Sequence, residues 1–189
     1  MARWPDVPAV YGWLALDRRG NWLLKGERIT NPLVAAFIGR NYECDAAGCW
    51  FFQNGPQRVY VDLDYTPLVC RVIDARGLVL EDHTGRPIEP HSAHLDDEGA
   101  LLVDTSRGLA LIHDADLFSL AERLVDGASG RPLTDDQLEA RLRATPSHDG
   151  LALVDATGRT VSVDTVKRVE TAARFGYVAR PSALAGTTP

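Results

Sequence analysis

The sequence predicts an α+β protein of two small domains built from repeated antiparallel hairpin-plus-helix units. Three observations carry that prediction. A unit of apolar strand, Asp-to-Gly turn, apolar strand and capped helix recurs along the 189 residues. Neighbouring apolar runs are joined by turns too tight for anything but antiparallel pairing. The apolar fraction, 45% beside 24% charged residues, suits a chain that buries a core without disulfide staples.

The first unit reads Trp13-Leu14-Ala15-Leu16, a turn over Asp17 to Gly20, then Trp22-Leu23-Leu24. Asp favours such a turn because its carboxylate reaches backbone N–H groups two residues on. Gly20 supplies the positive φ of the tight reversal. Trp13 and Trp22 flank the turn and are expected to pack across the ladder. A helix follows from Asn31-Pro32. Asn caps helices well, and Pro in the first turn gives up an N–H that no helix uses. Two further hairpins come next. Cys49 to Phe52 and Val59 to Leu63 flank Gln53-Asn54-Gly55-Pro56, and Leu68 to Ile73 and Leu78 to Leu80 flank Asp74 to Gly77.

The second unit pairs Leu101 to Asp104 with Leu109 to Ile112 across a turn ending at Gly108, followed by a helix from Asp116 to Leu124. The third pairs Leu151 to Val154 with Thr160 to Val163 across Asp155 to Gly158. Its helix is expected from Asp164 to Phe175, with Gly176 as the stop. Thr134 and Gln137 have capping-box spacing at the head of a short helix reaching Arg143. The stretch from Asp82 to Gly99 is rich in Pro, His and acids and reads as a linker or functional loop. Domains are therefore expected over 1–81 and 100–180, with 82–99 between them and a disordered tail over 181–189. The whole holds about ten strands and about four helices, in antiparallel sheets.

Several function classes drop out on composition and motif. The net charge is −6, and no basic face is evident, so no nucleic-acid partner is expected. No apolar run approaches the roughly 18 residues of a membrane span, and Met1 to Asp6 lacks the apolar core of a signal peptide. A cytoplasmic location is expected. Eighteen arginines against two lysines is a composition associated with GC-rich bacterial genomes. Three cysteines, Cys44, Cys49 and Cys70, make no disulfide framework, and the Cys44/Cys49 pair lacks the second pair of a zinc knuckle. Glycine-rich phosphate loops are missing, so no cofactor is expected. Ser106, His113 and Asp114 lack a nucleophile elbow. Asp62 and Asp64 share one strand face, as solvent-facing acids do.

Some runs resemble a known family. Leu16-Asp17-Arg18-Arg19-Gly20-Asn21-Trp22-Leu23-Leu24-Lys25-Gly26-Glu27-Arg28-Ile29 resembles the start of the uncharacterised bacterial family domain of unknown function 1285. So do Leu33 to Phe37, the hairpin Gly48 to Val61, Thr66 to Val69, Arg107 to Ile112 and Leu117 to Ala121. The match spans about residues 8 to 126, as in a member or a sibling family. The resemblance implies two small α+β domains of repeated motifs and a role in signalling or ligand binding. Where that family carries a Glu-Lys pair in its central hairpin, this chain has Gln57-Arg58, so the basic residue is kept and the carboxylate is an amide.

These readings converge on a non-catalytic module that binds a small acidic ligand or a protein partner. Arginine grips carboxylate and phosphate through a planar fork. Arg28, Gln57, Arg58, Arg107 and His113 are the candidate binding residues, and folding of the repeats onto each other would gather them in one cleft. The alternative is a metal-dependent hydrolase whose ligands are His91, His94 and Asp96. The oligomeric state leaves no signal in the sequence.

Overall fold

The computed structural model describes residues 6–143 and 150–183. The chain divides into two compact units. Unit 1 comprises the residues up to Pro67 together with those from Gly176 onward, and unit 2 runs from Leu68 to Phe175. Both are α+β, strand-rich and built on one sheet each.

In unit 1 the strands are β1 (Ala9–Leu16), β2 (Trp22–Leu24), β3 (Glu27–Arg28), β4 (Tyr42–Cys44), β5 (Trp50–Asn54) and β6 (Gln57–Leu63), with helix α1 (Pro32–Arg40) between β3 and β4. The sheet order is β3-β2-β1-β6-β5-β4. Asn31 caps α1 as expected, its side chain accepting from the Leu33 and Val34 amides. Alternation along β6 sends Val59, Val61 and Leu63 into the core and leaves Arg58, Tyr60 and Asp62 on the other face. The core is aromatic. Tyr42 packs on Trp22 and Trp50 with centroids 4.9 and 4.7 Å apart, and Phe37 of α1 sits edge-on to Phe52 at 5.4 Å. Trp13 and Trp22 do not meet. Trp22 is buried opposite Leu16, whereas Trp13 stacks beneath Lys25 Nζ at 4.1 Å.

The end of the chain completes unit 1. Cys49 and Val178 form a parallel bridge, the Val178 amide donates to Gly48 O, and the Leu63 amide donates to Ala179 O. Val178 and Ala179 thus bond to the start of β5 and to the end of β6.

Unit 2 carries β7 (Leu68–Asp74), β8 (Val79–Asp82), β9 (Pro87–Ile88), β10 (Ser92–Asp96), β11 (Leu101–Thr105), β12 (Gly108–Ile112), β13 (Leu124–Asp126), β14 (Leu151–Val154) and β15 (Thr160–Val166). Its helices are α2 (Leu117–Ala121), α3 (Asp135–Arg143) and α4 (Thr171–Arg174), with short 3-10 turns ahead of α2 and α4. The nine strands run in the order β13-β14-β15-β10-β11-β12-β7-β8-β9.

Four expectations need correction. The sheets are mixed: β1–β6, β10–β15 and β12–β7 are parallel. Tight turns fix only strands adjacent in sequence, and the parallel pairs join one hairpin to another. The stretch 82–99 is not a linker or loop; it holds β9 and β10, and β10 lies inside the sheet between β11 and β15. The helix expected from Asp164 starts only after Lys167, because Asp164 to Val166 pair with His94 to Asp96. The helix expected to reach Leu124 stops at Ala121, because Leu124 pairs with Leu153. In both cases strand pairing overrides helical spacing. The capping box of α3 forms as expected: the Thr134 amide donates to Gln137 Oε1 and the Gln137 amide to Thr134 Oγ1. Of the expected tail, residues 184–189 lie outside the described residues.

Five hairpin turns share one construction. They start at Asp17, Asp45, Asp82, Asp96 and Asp155, each with Gly three residues on. In every one the Asp Oδ1 accepts from the amides two and four residues ahead. The glycine amide donates to the Asp carbonyl, and the glycine φ lies between +77° and +86°. Only glycine takes that conformation at little cost.

Candidate binding site

The outer face of the unit 1 sheet brings together the groups best suited to recognition. Strand alternation along β6 places Arg58 and Tyr60 there, and the antiparallel register sets Phe51 of β5 opposite Tyr60. The exposed Arg58 guanidinium lies 4.6 Å from the centroid of the buried Phe51 ring. No carboxylate among the described residues pairs with it. Beside it, Tyr60 and Tyr11 stack with parallel planes at 4.6 Å. Tyr60 Oη donates to Asp45 Oδ2 at 3.3 Å, which fixes the ring. Burial, helped by Tyr60, pushes the Tyr11 phenol up from its ordinary value. Asp62 continues the stripe; burial raises its carboxyl, and Arg180 counters that. An arginine held over a ring by a cation–π contact keeps donors available for an anion and loses little freedom on binding.

The other candidates stand elsewhere. Arg28 is exposed on the edge strand β3, three strands from β6, or about 14 Å away at ordinary strand spacing. Gln57 turns away from Arg58 and donates through Nε2 to Val7 O at 2.7 Å. In unit 2, Arg107 pairs with the fully buried carboxylate of Asp82. His113 caps the 3-10 turn before α2, with Nδ1 accepting from the Ala115 amide at 3.1 Å and Asp114 close by. Arg107 precedes β12 and His113 follows it, so six steps of extended chain, roughly 20 Å, separate their backbones. The fold therefore does not bring these two residues into one cleft.

The hydrolase alternative finds no support. His91 is exposed ahead of β10, while His94 and Asp96 are buried within it. The helical spacing of His-x-x-His has no meaning in extended chain, where residues three apart point to opposite faces. Asp96 is engaged in its turn, accepting from the Glu98 and Ala100 amides at 2.9 and 2.7 Å. No group of three His, Cys, Asp or Glu side chains among the described residues is placed to hold a metal. Cys44 and Cys49 stand on opposite faces of the β4–β5 hairpin, and burial raises both thiols. Cys70 is buried in β7, and burial pushes its thiol far up.

The family model DUF2944, described as "Protein of unknown function (DUF2946)", matches residues 1–182. The chain belongs to this family. The DUF2944 chain shares its fold with a DUF1285 family protein from Silicibacter pomeroyi DSS-3, solved at 2.50 Å. The two are 15% identical with a TM-score of 0.54, over 84% of this chain and 82% of that one. A DUF1285 family protein from Shewanella baltica OS155 is also similar, at 15% identity and a TM-score of 0.45, over 56% of this chain and 87% of that one. The resemblance to DUF1285 drawn from Leu16 to Ile29 and the later runs is thus found again in three dimensions, at the level of fold. No curated protein matches the DUF2944 chain. No helix among its described residues is long and apolar enough to cross a membrane.

Sequence reasoning named Arg58 but missed its partners. Phe51, Tyr60 and Tyr11 meet only because β6 pairs with β5 on one side and with β1 on the other. The β5–β6 pairing is a hairpin and could have been read from the alternation; the parallel β1–β6 pairing leaves no local signal.

Proposed function

We propose that this protein is a non-catalytic binding module of the bacterial cytoplasm, with a regulatory role, and that the outer face of unit 1 receives an acidic ligand. The observation that supports this reading is Arg58: exposed, without a carboxylate partner among the described residues, and placed over the Phe51 ring beside the Tyr11–Tyr60 stack. An anionic group would take the guanidinium fork, and the flanking rings would shield that contact from water. Arg28 and Arg180 would add attraction at longer range. In the same reading the two units act as two domains of hairpin-plus-helix repeats, with unit 1 as the recognition half.

Titration of isotope-labelled protein with a hexaglutamate peptide, and separately with inorganic phosphate, tests this. The expected result is a set of resonance shifts confined to Arg58 Nε, Phe51, Tyr60 and Tyr11, and lost in Arg58→Met. Shifts spread evenly over the arginines, or retained in Arg58→Met, overturn the reading.

A further inference from the structure

The sheet of unit 2 buries one histidine beside the segment through which the chain leaves that unit. His94, at the middle of β10, is 3% exposed. Its Nε2 lies 3.2 Å from Ser92 Oγ, and its Nδ1 has no hydrogen-bond partner. The ring meets Phe175 edge-on at 4.9 Å. Phe175 closes the C-terminal end of α4, and the next residue, Gly176 at φ +67°, begins the return to unit 1.

The charged groups around His94 come from three elements. Asp164 of β15 is its register partner, Asp104 of β11 is the register partner of Ser92, and Arg174 belongs to α4. The two carboxylates favour a charged ring; burial, the largest influence, and Arg174 oppose it. The net effect holds His94 below its ordinary value. With Nδ1 unpartnered, the neutral tautomer that strands no buried N–H is the one carrying its proton on Nε2, toward Ser92 Oγ, with a bare lone pair on Nδ1. Protonation at Nδ1 turns the lone pair into a buried cationic donor with nothing to accept it.

We propose that His94 is a pH-sensitive latch on the exit from unit 2: protonation swings the imidazole away from Phe175 toward Asp164 and Asp104, and frees residues 171–176. The sign follows from linkage. The released state binds the proton more readily, near the ordinary histidine value of about 6.5. The closed state therefore keeps its full stability above that pH and loses it as pH falls toward the lower value of the packed ring. The latch is independent of the reading of Arg58, because it stands on a different sheet.

Hydrogen exchange of the intact protein between pH 7.5 and 5.0, corrected for intrinsic rates, tests the latch. The expected result is a loss of protection of about tenfold per pH unit below the ordinary histidine value, confined to residues 171–176 and absent in His94→Gln. Unchanged protection overturns the proposal. So does an equal loss in His94→Gln, and so does a loss spread evenly over both units, which is plain acid unfolding. A second measurement needs no variant: the His94 and Phe175 ring resonances of the native protein should titrate with one shared midpoint below 6.5, and separate midpoints overturn the latch.

Discussion

Gly48 stands directly against the Gly176 carbonyl. A β-carbon on Gly48 would overlap that oxygen and come within 3.2 Å of Tyr177 Cα, and its φ is +80°. Gly48→Ala therefore meets a conformational penalty and a backbone collision together. It should lower stability by about 2 to 4 kcal/mol, read from the urea midpoint. Gly55→Ala, at φ +58° with open space around the new carbon, should cost about 1 kcal/mol.

Arg107→Leu tests whether that arginine is structural. It strands the carboxylate of Asp82, whose side chain is 0% exposed. An uncompensated buried charge costs about 3 kcal/mol, partly relieved here because Thr84 and the Arg86 amide also bond to Asp82. Chemical denaturation should show that loss in Arg107→Leu and a smaller one in Arg107→Lys, which keeps a cation beside the Asp82 carboxylate.

The five Asp–Gly turns should differ in cost according to burial. Asp96→Ala leaves the amide of buried Ala100 without its acceptor, and should cost about 2 to 3 kcal/mol. Asp17→Ala releases amides that water reaches, and should cost about 1 kcal/mol. Equal thermal shifts for the two variants would contradict this account.

Acid sensitivity should have a carboxylate component as well. Asp116 accepts from Arg71 Nε and Nη2 at 2.6 and 3.0 Å and from the Val72 amide at 3.0 Å. The Arg71 bond, foremost, holds its carboxyl below the ordinary value of 3.8. Its contribution is therefore complete above that value and lost as pH falls through the lower, folded one. Asp116→Asn should be less stable than the native protein at pH 6, and the gap should narrow as pH falls below 3.8, measured by denaturation at each pH.

How much of this was legible beforehand depends on how far apart the paired residues lie. Asn31 with Leu33, and Thr134 with Gln137, are local, and both caps formed as read. The Asp-x-x-Gly spacing is read as a turn at Asp17, Asp74 and Asp155 but not at Asp45, Asp82 and Asp96, although the same four-residue pattern stands there. The acids and histidines of 82–99 suggested a solvated loop, yet Asp82 and Asp96 are buried because their oxygens are consumed by turn amides. Asp164 to Val166 carried helical spacing, and only the parallel pairing with His94 to Asp96 decides for strand. Arg58 was visible as an arginine near a turn; that it lies on Phe51 depends on register.

The bonds from residues 176–181 to Gly48 and Leu63 also set an order of events during synthesis. The first 67 residues leave the ribosome before the segment that finishes their sheet has been translated. At roughly 5 to 20 residues per second, all of unit 2 takes about 5 to 20 s to make. Through that interval the nascent first 67 residues hold the Gly48 carbonyl and the Leu63 amide, beside β5 and β6, without their later partners, a place where another unfinished chain can pair. Unit 1 is sealed only after the whole of unit 2 has been made.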